Sequence, residues 1–340
     1  MNFRPAVGLT DVAKAAGVSV ATASRALRGA DRVSQETVAL VRETAARLGY
    51  VPDKRAVNLR SHTPAAVGLL LRSAELSFYG AIAAQMQSEV DSHGIDLLIA
   101  NGGDDRSSQS RAIETLVGHR VAGIVFASGR AAPEAIEKAA ASVPTVLVGA
   151  VSSVEGIASV VISGESEAQM ARAVLEAGHR RVAVTRSLVA GTAVLQRRSE
   201  RYEETLRLGE ARVLALEVGD GQAGLTEQVD RALRQGVTAI MAGDDLTALH
   251  ILEILAERGV RCPEEISVTG FDGVGVLQSP LFGLTTMKQP VRDLAATATA
   301  LLLARLTGGP ATATQDSIPG RFVPGRTLRN LQRSEYPPST

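Results

Sequence analysis

The spacing of apolar residues changes near residue 65, and that change divides the chain into parts that must fold differently. Before it, apolar residues recur at helical spacing in short runs broken by glycine. Leu9, Val12, Ala13 and Ala16 fall at i, i+3, i+4 and i+7, and Gly17 stops the run. Ser19 is placed to cap a second helix, VATASRAL. There Ala23, Ala26 and Leu27 face inward, and Val20, Ala21, Thr22 and Arg25 face outward. After Gly29-Ala30-Asp31, Ser34 caps a third helix whose inner stripe is Val38, Val41, Ala45 and Leu48, and Gly49 ends it. Three short helices with a tight glycine turn between the first two predict a helix-turn-helix head over residues 1–50.

Residues 51–64 read as a linker, punctuated by Pro52 and Pro64 with a short basic segment between them. From residue 65 strand-length apolar runs alternate with amphipathic helices. One set runs AVGLLL, DLLIA, AGIVFA and TVLVG; a second runs RRVAVT, VLALEV, TAIMAG and ISVTGF. Such alternation predicts parallel sheets with helices on both faces, and two sets predict two similar lobes. The expected fold is an all-α helix-turn-helix head on a two-lobed α/β body over 65–340. The first lobe takes approximately 65–162 and 291–325, the second approximately 163–290 and 326–332.

At 340 residues the chain suits two or three domains. Its single cysteine, Cys262, rules out an internal disulfide framework and any multi-cysteine metal site. The first residues hold no secretory apolar run, and no stretch approaches the roughly 18 apolar residues of a membrane span. A soluble, cytoplasmic protein with no membrane partner is expected. Net charge is zero but unevenly placed: residues 1–62 carry ten Lys and Arg against five Asp and Glu, and the remainder 26 against 31. A basic head on an acidic body points to a polyanion met by the head alone.

The stretch LTDVAKAAGVSVATASRAL, followed by VSQETVALVRETAARLGYVPDKRAVNLRS, resembles the lactose/galactose-repressor (LacI/GalR) family of bacterial regulators. It combines D-V-A, A-G-V-S, T-x-S-R, V-S-x-x-T and L-G-Y-x-P in the family's order. Further matches are R-V-A-G-I at 120–124, G-H-R-R-V at 178–182, I-S-V-T-G-F-D at 266–272 and L-T-T-M-K-Q-P at 284–290. The resemblance implies a periplasmic sugar-binding-protein-like body with a ligand cleft between its lobes.

Chemistry makes the head intelligible. A helix entering the major groove needs a thin leading edge, which Val20 and Ala21 supply where family members touch base edges. Arg25 is the best base-reading candidate, because its fork can hold guanine O6 and N7 together; a surface ion pair is the alternative. Thr10, Ser19, Thr22, Ser24 and Ser34 offer hydroxyls or helix N-termini to phosphates, although for the serines capping alone is an equal reading. Arg28 and Arg32 add phosphate affinity. Gly8 stands where the family usually has Thr or Ser. The linker resembles the family's hinge helix: Ala56 and Leu59 match the residues that enter the minor groove as a wedge, with Asn58 nearby as a donor.

In the body, ligands of open α/β folds gather at the carboxyl ends of strands, where Phe78, Tyr79, Asp244, Asp245 and Asp272 fall, and the resemblance implies that Arg198 and Asp272 are polar effector contacts. Arg198 is read as opening a helix after RRVAVT. Arg198 and Asp272 together grip vicinal hydroxyls, or else form a salt bridge between the lobes. Three departures stand out: Asp244-Asp245 for the family's Asn-Asp, Ser163-Gly164 for its Asp-Asn or Asp-Asp pair, and Arg201 for a glycine. They leave the effector open among a sugar, a nucleoside, a phosphorylated metabolite and none.

The expected function is sequence-specific DNA binding, as a repressor acting on a near-palindromic operator. A homodimer is expected, with a tetramer left open, and a small molecule, a sugar or another metabolite, modulates it. A transport solute-binding protein would share the body but not the basic head. An enzyme could use the aspartates, but there is no Walker lysine, His-Glu-x-x-His or nucleophile elbow. No catalytic residue, metal or cofactor is assigned.

Overall fold

Glycine and serine punctuation sets the first helices. In the computed structural model, which describes residues 7–28, 33–51, 66–189, 191–219, 223–309 and 315–332, these are α1 (Leu9–Ala15), α2 (Val20–Arg28) and α3 (Gln35–Leu48). Gly17 has φ +67°, which lets the Val18 N–H bond back to the Ala13 carbonyl at 3.0 Å and turn the chain. The Ser19 hydroxyl then accepts the Thr22 N–H at 3.0 Å, and the Ser34 hydroxyl accepts the Thr37 N–H at 3.2 Å. Val12, Ala13, Ala23, Ala26, Val41 and Ala45 are buried together, and their small size lets the three helices approach closely. Thr44, also buried, extends the inner face of α3 beyond its apolar stripe. Arg32 and the hinge candidates Ala56, Asn58 and Leu59 lie outside the described residues.

The chain divides after Ala65 into two compact units. The second opens with β1 (Ala66–Leu71), α4 (Ser77–Ser92), β2 (Asp96–Asn101), α5 (Arg106–Gly118), β3 (Ile124–Ala127), α6 (Pro133–Ala140), β4 (Thr145–Val148) and β5 (Ala158–Ile162). With β11 (Gln315–Ile318) these strands form one sheet, ordered β11-β5-β4-β3-β1-β2 and parallel throughout. The helices sandwich it. Tyr79, Ile82, Met86 and Val90 of α4 pack with Leu294, Ala298 and Leu302 of α11 (Val291–Leu306) on one face. Ile113 and Leu116 of α5 and Ile136 of α6 cover the other. Each such fully buried aliphatic contributes about 1.5–3 kcal/mol.

The second lobe repeats the plan with α7 (Gly164–Glu176), β6 (Arg181–Ser187), α8 (Ala193–Leu208), β7 (Arg212–Val218), α9 (Leu225–Arg234), β8 (Ala239–Met241), α10 (Asp245–Glu257) and β9 (Ser267–Thr269). Its sheet runs β7-β6-β8-β9, again parallel. A two-stranded antiparallel ribbon pairs β10 (Thr286–Lys288) with β12 (Arg321–Val323). The last two strands, β11 and β12, are short and lie in different sheets. Helix α8 begins at Ala193, so Arg198 sits in its second turn rather than opening it. Thr192 donates its hydroxyl to the Val189 carbonyl at 2.7 Å, closing the turn that starts the helix earlier.

The chain crosses between lobes after β5, after β10 and between β11 and β12. These crossings crowd at Gly320, where a Cβ would lie 3.0 Å from Ile162 and 3.1 Å from both the Lys288 carbonyl and Met287. In each sheet the strand order reverses beside its first strand: β1 lies between β2 and β3, and β6 between β7 and β8. Connections leave such a point in opposite directions and open a crevice at the carboxyl ends.

Candidate DNA-reading surface and effector cleft

In the first unit, α2 presents Val20, Ala21 and Arg25 to solvent, with Thr22 and Ser24 half-buried behind them. Thr10 is exposed in the first turn of α1. The Arg25 Nε donates to the Ala21 carbonyl at 3.2 Å and the Arg28 Nε to the Ser24 carbonyl at 3.1 Å. Both guanidiniums therefore lie along the helix, each with one of five N–H donors engaged by these bonds. No acidic residue lies on α2. Ser19 and Ser34 are caps, and each hydroxyl also meets that of the threonine three residues on, at 2.8 Å. Gly8 brings no side chain, and its N–H donates to the Asp11 carboxylate at 2.9 Å.

In the second unit, a cavity of about 620 Å³ lies between the lobes at the carboxyl ends of both sheets. Phe78, Tyr79, Arg198, Asp244 and Asp272, expected from sequence, all line it. Phe78 and Tyr79 occupy the first turn of α4, their rings edge to face at 5.3 Å. The Tyr79 hydroxyl accepts the Gly129 N–H at 3.2 Å, and burial pushes its pKa up.

Arg198 organises the second lobe's wall. It is almost fully buried, donates to the Gly243 carbonyl and stacks on Phe271. It stands 4.0 Å from both Asp272 and Glu167. Since Arg198, Asp272 and Glu167 all belong to this lobe, the salt bridge weighed from sequence is not one between lobes. Asp272 accepts the Gln289 amide at 2.6 Å, next to the second crossing. Asp245 accepts the Thr286 hydroxyl at 2.6 Å and the Gly273 N–H at 2.8 Å, and Asp244 caps α10 by accepting the Thr247 N–H at 2.7 Å.

Four carboxylates thus gather around one guanidinium. Burial pushes Asp272 well above the ordinary carboxylate range; Arg198 opposes that, and Asp245 and Asp244 add to it. Burial likewise raises Asp245, against its two hydrogen bonds, and raises Glu167, against Arg198. A protonated carboxyl here donates a hydrogen bond, and an ionised one accepts. The wall can do either toward hydroxyls. Glu167 carried no local sequence signal, and Phe271 entered only as part of the I-S-V-T-G-F-D match. The first lobe adds Arg72, Asp104 and Arg130, also missed; they follow β1, β2 and β3, the ends where the strand-end rule would have found them.

Residues 8–53 match the family described as bacterial regulatory proteins, lacI family, and residues 171–328 match the periplasmic binding protein-like domain. The chain is 28% identical over 304 residues to catabolite control protein A of Priestia megaterium, covering 87% of this chain and 91% of that protein. It is 28% identical over 331 residues to the ribose operon repressor of Bacillus subtilis strain 168, covering 94% and 98%. Among solved structures, the lac repressor dimer bound to operator and the anti-inducer ONPF superposes with a TM-score of 0.80 at 24% identity, covering 96% and 100%.

A basic helix-turn-helix unit joined to a two-lobed α/β body with a polar cleft defines a DNA-binding regulator. The chain carries a lacI-family helix-turn-helix domain and a periplasmic-binding-protein-like domain, and its homologues are LacI/GalR-type transcriptional regulators rather than enzymes. Among the described residues, no helix is long and apolar enough to cross a membrane.

Proposed function

We propose that the protein is a transcriptional repressor that binds a near-palindromic operator as a homodimer, with a small molecule in the cleft shifting its affinity. The observation that carries this reading is α2: thin at its leading edge, free of acidic residues and bearing exposed Arg25 and Arg28. In this reading residues 1–50 are the reading head, 51–64 the hinge and 65–340 the sensor and dimerisation body. Val20, Ala21 and Arg25 meet base edges. Thr10, Ser19, Thr22, Ser24, Arg28, Arg32 and Ser34 meet phosphates, and Ala56, Asn58 and Leu59 meet the minor groove.

Self-association is supported by apolar surface on the body. Strand β2 is a sheet edge that reads DLLIAN yet leaves Ile99 half exposed, and Val276 and Leu281 are exposed at 73% and 79%. An isologous dimer covers such patches and repeats the head with two-fold symmetry, matching two half-sites. The cleft supports an effector: Phe78 and Tyr79 give an apolar platform, and Arg198, Asp244 and Asp272 give polar contacts. Closure of the lobes on a ligand changes their relation at the crossings around Gly320, which couples occupancy to the hinge that follows the head.

Selection from a pool of random duplexes tests the reading. A two-fold symmetric site with two half-sites is expected. Recovery of no preferred sequence over bulk competitor, with or without a metabolite extract, contradicts it.

A further inference from the structure

The two walls of the cleft differ in charge. On the second lobe's wall, Asp244, Asp245 and Asp272, with Glu167 behind them, outnumber Arg198 and Arg186, and Arg186 is already paired with Glu203. On the first lobe's wall the excess of acids disappears, with two arginines against Asp104 and Glu75. Arg72 follows β1, Asp104 follows β2 and Arg130 follows β3, and because these strands are neighbours their ends converge. The Arg72 Nε donates to one Asp104 oxygen at 2.6 Å, and an Arg130 terminal nitrogen lies 3.2 Å from the other. Two guanidiniums therefore share one carboxylate. Both cations are largely buried while Asp104 is half exposed, and Glu75, at the same rim, is exposed. The N-terminus of the 16-residue helix α4 opens onto the same wall without a side-chain cap, adding its positive dipole end.

The cavity is also built for polar contact. The Nε of Arg198, a cavity-lining residue only 3% exposed, has no hydrogen-bond partner. We propose that Arg72, Arg130 and the start of α4 form an anion subsite, so that the effector carries a carboxylate or phosphate at one end and hydroxyl or ammonium donors at the other. The inference rests on the reading of the cleft as an effector site and deepens it. The acidic wall fixes the ligand's direction: it repels an anion and accepts donors, so the charged end faces the first lobe. Paired guanidiniums suit either anion, since their N–H forks match both geometries.

Calorimetric titration of the full chain with inorganic phosphate, and separately with acetate, tests this, with sodium chloride at matched ionic strength as the baseline. The head also attracts anions, so the readout is the difference between the parent and variants in the cleft. Arg130→Gln should weaken the anion affinity at least about tenfold. Asp104→Asn, which releases both guanidiniums from their shared partner, should tighten it. Tighter binding of phosphate assigns a phosphate ester, and tighter binding of acetate assigns a carboxylate. If both variants titrate like the parent, the subsite is refuted. Because Asp104→Asn leaves the head untouched, duplex selection with this variant separates failure of the anion subsite from failure of the regulator reading.

Discussion

The guanidinium of Arg198 sits over the ring of Phe271, its central carbon 3.6 Å from the ring centroid, with Glu167 and Asp272 each 4.0 Å away. Ring and acids hold one buried cation from three sides. Arg198→Met keeps the aliphatic stem and removes the charge, leaving the acids uncompensated. Breaking a buried pair costs about 3–5 kcal/mol, so urea denaturation at neutral pH should show a loss of that order. The deficit should shrink on acidification, as the acids take up protons. An equal deficit at all pH values would show that the loss is one of packing.

The parent should carry the same signature more weakly. A carboxyl whose folded pKa is raised makes no difference below its unfolded pKa, about 3.9 for aspartate. It destabilises progressively as pH rises from there through the folded value, because the unfolded chain ionises first. Asp272, Asp245 and Glu167 all shift this way. Stability of the body should therefore be reduced as pH climbs from the ordinary carboxylate range toward neutrality, and Asp272→Asn should flatten that slope. A variant whose slope matches the parent's contradicts the assignment.

Gly273 is fixed by its neighbours. Its φ is +58°, its N–H is held by Asp245, and a Cβ would stand 2.5 Å from the Lys288 Cα. Gly273→Ala combines backbone strain with a clash against backbone, each worth about 1–3 kcal/mol. Thermal unfolding should show the loss, and the cleft beside Asp272 should deform. An unchanged midpoint would mean the loop yields freely.

In the head, Ser34→Ala removes the bond to the Thr37 N–H at the start of α3. A lost cap costs about 1 kcal/mol. Hydrogen exchange should report faster opening of α3 with the second unit unaffected; unchanged protection in α3 would deny the cap its role.

Much of this could be read from sequence because the signals are local. Gly17, Ser19, Ser34 and Gly49 sit at the helix ends they mark, since turns and caps act within a few residues. Strand–helix alternation gave the layers of the body, and the strand-end rule put Phe78, Tyr79, Asp244 and Asp272 at the cavity. What escaped is what topology assembles. Arg72, Asp104 and Arg130 are dozens of residues apart and meet only because β2, β1 and β3 are adjacent in the sheet. Glu167 lies on α7 and gives no hint in sequence that it will be buried beside Arg198 on α8. The start of α8 was misplaced because the helix opens with Ala193-Val194-Leu195, a short apolar run that lacks a capping side-chain bond.

The central claim is that α2 reads bases, and Arg25 tests it most directly. Binding of Arg25→Ala should be measured against the selected duplex and a scrambled one at the same ionic strength. Loss of a bidentate base contact predicts about 1–3 kcal/mol weaker binding to the selected duplex, relaxed preference at one base pair, and only a small change on the scrambled duplex. An equal loss on both duplexes would reduce Arg25 to a phosphate contact and contradict the account.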